Sequence, residues 1–132
     1  MSTTDGNENR AALRVLIVED NLAAAQTTGW MIEELGHDYH MVHSAEQALE
    51  EAASYAPDIA LLDISLPGLN GFDLCQALRA LPGFERTVFV AQTGWAGDTF
   101  RHRAADAGFH HYIAKPFVIE TLMAILDDSR AR

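Results

Sequence analysis

Residues 58–81 read DIALLDISLPGLNGFDLCQALRAL. An apolar strand over 58–63 runs into a turn rich in Pro67, Gly68, Asn70 and Gly71. A helix over 72–81 follows, with Leu74, Leu78 and Leu81 aligned on one face, and Pro82 and Gly83 end it. The strand delivers one carboxylate, Asp63, into the turn. An aspartate in that place caps a following helix more often than it reacts. Its meaning depends on what the rest of the chain sets beside it.

The same strand-turn-helix unit recurs on both sides. RVLIVED (14–20) carries Val15, Leu16, Ile17 and Val18 in succession, with no period of two, as strands buried on both faces do. NLAAAQTTGWMIEELG (21–36) follows as a helix with Ala24, Thr28, Met31 and Leu35 on its inner face and Gly36 as its stop. YHMV (39–42) is a weaker strand. SAEQALEEAAS (44–54) opens with a capping box, Ser44 and Gln47, and sets Ala45, Ala48, Leu49, Ala52 and Ala53 at helical spacing. Pro57 breaks it. TVFVAQ (87–92) is a fourth strand and HHYIA (110–114) a fifth. The helix between them, 96–108, has Phe100, Arg103, Ala104 and Ala107 on one face. A last helix, 118–128, has Val118, Leu122, Ile125 and Leu126. Strict alternation of strand and helix predicts an α/β fold: parallel strands, right-handed crossovers and helices on both faces. Five such units at this length predict a flavodoxin-like doubly wound (βα)5 sandwich with strand order 2-1-3-4-5.

Composition limits the function. The chain has 132 residues and is 48% hydrophobic, enough for one packed domain and too much for a disordered segment. No apolar run approaches the ~20 residues of a membrane helix, and the polar start is not a secretory signal. Residues 1–12 read as a disordered tail, 13–128 as the domain and 129–132 as a short C-terminal tail. A net charge of −10 argues against binding a nucleic-acid backbone directly. The single cysteine, Cys75, forms no intrachain disulfide and suits a reducing cytoplasm. It reads as a small core residue of the third helix.

In doubly wound sheets, sites form at the carboxyl ends of the strands. Those ends carry Glu19 and Asp20, Asp63, Thr93 and Lys115 on four strands predicted to be neighbours. Three carboxylates in contact repel; a like pair at ~4 Å costs about 4 kcal/mol at an effective dielectric of 20. Lys115 and one divalent cation would together neutralise them. Hard oxygen ligands select Mg²⁺ or Mn²⁺ over zinc. A carboxylate can act as a nucleophile towards phosphorus. A hydroxyl (Thr93), an ammonium (Lys115) and helix N-termini can hold phosphoryl oxygens. Singly, each residue has a plainer reading as a cap, a turn former or a solvated lysine; four together, one per strand end, favour chemistry.

These residues resemble the receiver domain of two-component response regulators over about residues 13–128. The marks are the acidic pair in LIVED, the aspartate in LLDISLPGLNGF, the threonine in VAQTG, and YIAKPF. Successive spacings of 43 residues from Asp20 to Asp63, 30 on to Thr93 and 22 on to Lys115 fit the family. The resemblance implies that Asp63 is the phosphoacceptor. It implies metal binding by Asp20, by Glu19 directly or through water, by Asp63 and by the Ser65 backbone carbonyl. Thr93 and Lys115 would hold the phosphoryl group, with a cis bond between Lys115 and Pro116. Tyr112 stands where the family places its switch aromatic. The implied partners are a sensor histidine kinase or phosphotransfer protein and a downstream protein. A homodimer through the face of the fourth helix, fifth strand and fifth helix is a further option. No direct nucleic-acid or membrane contact is expected, and no enzyme activity beyond self-directed phosphotransfer and slow autodephosphorylation. About four residues follow the last helix, so no output domain is expected there. Glu19 replaces the commoner Asp, and Trp95, two residues after Thr93, is bulky beside the site.

Rival functions fit the same residues less well. A haloacid-dehalogenase-like phosphatase wants a second Asp two residues after the nucleophile, and Ser65 stands there. A flavin or nucleotide binder wants a Gly- or Ser/Thr-rich loop after the first strand, and EDNLAAA is not one. A constitutive binding module does not need an intact site. His37, His40 and His43 recur every third residue on a short strand and its turn, where they need not share a face. His110 and His111 are expected on opposite faces, and no metal or transfer role is expected for them or for His102.

Overall fold

A computed structural model describes residues 12–66, 70–94 and 98–130 of the chain. Five strands form one parallel sheet: β1 Arg14–Val18, β2 Asp38–Val42, β3 Ile59–Asp63, β4 Val88–Thr93 and β5 His111–Ala114. Their order is β2-β1-β3-β4-β5, as the alternation predicts. Five helices connect and follow them: α1 Leu22–Glu34, α2 Ala45–Tyr55, α3 Gly71–Arg79, α4 Asp98–Ala107 and α5 Ile119–Arg130. α5 thus extends two residues past the boundary expected at 128. The tail expected at the N-terminus lies, up to residue 11, outside the described residues.

The central strands β1, β3 and β4 are apolar on both faces because both are covered. Alternate residues feed two cores. Val15, Ile17, Ile59, Leu61, Val88 and Val90 meet Ala25 and Ile32 of α1 and Leu122 and Leu126 of α5. Leu16, Val18, Ala60, Leu62, Phe89 and Ala91 meet Ala48 and Ala52 of α2, Leu74, Cys75 and Leu78 of α3, and Ala104 and Ala107 of α4.

Several helix faces differ from the periodic reading; Val118, expected on the α5 face, precedes that helix and is exposed, as is Arg103 on α4. α1 buries Ala25, Thr28, Gly29 and Ile32, a stripe centred one position from the predicted one. Gly29 explains the rotation: a Cβ there would lie 2.6 Å from the Tyr39 ring, so α1 packs its backbone against that aromatic. In α2 the buried set is Ala45, Ala48 and Ala52, while Leu49 and Ala53 face solvent. Alanine's short side chain lets α2 lie close to β1 and β2, and the stripe needs only three of them. The α2 capping box forms with a shift. Ser44 Oγ accepts from the Gln47 N–H at 3.0 Å, and Gln47 Oε1 accepts from the N–H of His43, one residue before the cap.

Candidate functional site

The strand register brings the four predicted ends to one rim. Asp63 closes β3 opposite Gln92, and Thr93 closes β4 opposite Ala114. The Lys115 N–H then donates to the Thr93 carbonyl at 2.7 Å, and the Ile64 N–H to the Gln92 carbonyl at 3.1 Å, so both chains leave the sheet from fixed points. The Lys115–Pro116 bond is cis. On the other side the Glu19 N–H donates to Val42 O at 3.0 Å, which ties the end of β1 to β2.

The turn after Asp63 is set by backbone contacts. The Ser65 N–H donates to Asp63 Oδ1 at 2.9 Å, which fixes the carboxylate's rotation. Asn70 caps α3 by accepting from the Asp73 N–H at 3.0 Å. Gly71 donates its N–H to Ile64 O at 3.2 Å. A Cβ on Gly71 would lie 2.7 Å from both Asp63 O and Ile64 Cα. The glycine therefore lets α3 start directly against the turn that follows Asp63, a role beyond the turn forming that the sequence suggests. Pro67, Gly68 and Trp95 lie outside the described residues.

Glu19, Asp20 and Asp63 each offer a carboxylate oxygen, all within 4.8 Å of one another. Glu19 (2% exposed) and Asp63 (6%) are buried, and Asp20 faces solvent. Lys115 Nζ donates to Glu19 Oε1 in a close ion pair and to Asp63 Oδ2 at 3.1 Å. Burial, followed by the neighbouring Asp63, pushes the Glu19 carboxyl above the usual range, against the pull of Lys115. Burial pushes Asp63 the same way, but contact with Glu19, the Ser65 N–H and Lys115 together hold it below that range. Burial works against the Lys115 ammonium too, yet its two carboxylate partners raise its pKa. One ammonium thus serves two buried carboxylates. A hard divalent cation fits this all-oxygen cluster, with Asp20 open to water as the free ligand.

Thr93 is buried at the end of β4. Tyr112 is not at the carboxylates. It pairs with Ala91, one step before Thr93 on the same face, and packs half-buried against that core. The histidines do not converge. His40 Nε2 pairs with Glu51 at 2.6 Å, His37 Nδ1 accepts from the Leu13 N–H at 3.0 Å, and His43 Nδ1 donates to Glu19 O at 3.1 Å. Cys75 is fully buried, and its thiol is pushed up to about 12 by burial. Two residues carried no sequence signal. Gln92, in a strand read as apolar, is buried with its side-chain nitrogen unpartnered. Arg101 sets its guanidinium 4.7 Å from the centroid of the Tyr112 ring.

The family model described as "Response regulator receiver domain" matches residues 15–127. The chain belongs to the response regulator receiver family. It is 30% identical over 120 residues to the signal transduction histidine-protein kinase BarA of Escherichia coli, covering 91% of this chain and 13% of that kinase. It spans about half the length of response regulators such as MprA of Mycobacterium ulcerans, at 33% identity over 115 residues. The receiver domain of the sensor histidine kinase PA1611 of Pseudomonas aeruginosa superposes with a TM-score of 0.83 at 30% identity, covering 92% of this chain and 100% of that one. That structure has a magnesium ion coordinated in its active-site cleft. Receivers are signalling domains of two-component systems, found both in kinases and in separate regulators. Among the described residues, no helix of this receiver is long and apolar enough to cross a membrane.

Proposed function

We propose that Asp63 accepts a phosphoryl group from the phosphohistidine of a sensor histidine kinase or phosphotransfer protein. The observation that carries this is the buried Asp63 carboxylate at a strand end, held by Ser65 N–H and Lys115 beside Glu19 and Asp20. An Asp63 oxygen forms the new bond to phosphorus, the phosphorus–nitrogen bond breaks, and its electron pair leaves with the imidazole. Lys115 offsets charge on the acyl phosphate, and the Thr93 hydroxyl donates to a phosphoryl oxygen. Mg²⁺, with Mn²⁺ as a substitute, would be held by Asp20, Asp63, the Ser65 carbonyl and Glu19, and when bound it shields the carboxylates from the incoming phosphoryl oxygens. Thr93 moves toward the phosphoryl group, Tyr112 turns inward, and the α4–β5–α5 face presents a different surface to a downstream protein or a second copy. The folded unit runs from about 13 to the end of α5 at Arg130, the chemistry is self-directed phosphotransfer without turnover of other substrates, and the compartment is the cytoplasm.

Incubation with Mg²⁺ and acetyl phosphate, followed by intact-mass measurement, tests this. One added phosphoryl group is expected, absent in Asp63→Asn and abolished by a chelator. Absence of the adduct in the wild type, or turnover of many phosphoesters, overturns it.

A further inference from the structure

Over its described side chains, residues 101–107, α4 buries little apolar surface. Among its described side chains only Ala104 and Ala107 are buried. Two arginines supplement them. Arg103 sets its guanidinium 4.3 Å from the centroid of Phe72, which opens α3, and Arg101 sets its own 4.7 Å from that of Tyr112 on β5. Both distances lie within the ~6 Å at which a guanidinium is attracted to a ring face. Tyr112 packs against the α2–α3–α4 core on the face of the sheet where Thr93 lies one step further on. A guanidinium stacked on the ring from α4 therefore favours the position the ring occupies here.

We infer that Arg101 is a latch on the switch aromatic. Its stacking on Tyr112 holds the receiver in its unphosphorylated state by opposing an inward turn of the ring that gives up the contact. The inference rests on the proposed switching and adds the residue that sets its balance. A stack at an exposed site is worth about 0.5–1 kcal/mol, or about two- to fivefold in an equilibrium constant. Coupling is reciprocal: what the latch withholds from the switched state it also withholds from the ligand that stabilises that state. Removing the arginine therefore raises affinity for the phosphoryl group or its mimic. A residue that merely stabilises the fold would not do this.

Beryllium fluoride with Mg²⁺, which mimics a phosphoryl group on a carboxylate, gives the readout. Binding to the full chain is followed by NMR. Arg101→Ala is expected to lower the half-saturating beryllium fluoride concentration two- to fivefold, with Arg101→Lys in between. Without the mimic, the Tyr112 ring resonances of Arg101→Ala should already shift toward their wild-type bound positions. Unchanged or weaker binding in Arg101→Ala, with wild type titrating normally, overturns the latch alone. A wild type that takes no beryllium fluoride overturns the receiver chemistry and the latch with it. Ring resonances unmoved in the absence of the mimic also overturn the latch.

Discussion

Gly71→Ala is the most demanding test of how the site is built. The new methyl group would sit 2.7 Å from Asp63 O and from Ile64 Cα, where ordinary contact begins at 3.4 Å. Both are backbone atoms at the end of a buried strand, so the turn must open by about 0.7 Å rather than a side chain swinging aside. Overpacking of this kind costs about 1–3 kcal/mol. Replacing glycine with alanine returns about 0.4–1 kcal/mol through the unfolded chain. The net loss is about 1–2 kcal/mol, a fall in Tm of roughly 3–10 °C for a domain of this size. Urea denaturation followed by circular dichroism should show a lower midpoint with an unchanged slope. Because the displaced carbonyl belongs to Asp63, phosphorylation by acetyl phosphate should slow by roughly tenfold, given that a 1 Å misplacement can cost about 10²-fold. Gly94→Ala is the control, since among the described residues a Cβ there meets nothing within 4 Å. If Gly71→Ala melted at or above the wild-type temperature and took up phosphate at the wild-type rate, the close approach of α3 to the Asp63 turn would be refuted.

Two further outcomes follow from the charged groups. Lys115→Met leaves Glu19 and Asp63 buried without their cation; the variant should lose stability, and the loss should grow as pH rises from 5 to 8, because the two carboxyls then resist ionising in the folded state alone. Equal loss at both pH values would contradict the ion-pair account. His37 accepts hydrogen bonds from the Leu13 N–H and from Arg130 Nη2 at 3.4 Å, and burial, then Arg130, lowers its pKa. The unfolded chain binds the extra proton first, so this contribution is complete above about pH 6.5 and fades as pH falls below it. Thermal melts across pH 5–7.5 should show a decline toward acid that is shallower in His37→Gln; a parallel decline in the variant would rule the contribution out.

The sheet was legible because β1, β3 and β4 are buried on both faces, and an unbroken apolar run as short as Val15–Val18 suits a strand covered on both sides. The candidate site was legible for a related reason: parallel strands all end on the same rim, so residue types at strand ends can be read together. What periodicity does not carry is rotation about a helix axis. The stripe of α1 depends on Gly29 yielding to Tyr39, a contact across ten residues of chain that no repeat encodes. Nor does adjacency in sequence tell which of Glu19 and Asp20 turns inward; burial of Glu19 follows from its close pair with Lys115, 96 residues away. The stacking of Arg101 on Tyr112 is hidden in the same way, since it joins the exposed face of a helix to the next strand.

The solitary cysteine has a use beyond packing. Cys75 is the sole sulfhydryl in the chain, shut against the sheet by α3 and far from its reactive thiolate form. A disulfide reagent can reach it only when that helix lifts away. The ratio of its modification rate in the folded protein to that in a short peptide then measures how often α3 opens, when closing outpaces modification. Followed with and without a phosphoryl mimic, that one sulfur atom would report whether occupation of Asp63 tightens or loosens the helix that begins against it, with no probe to introduce and no other thiol to remove.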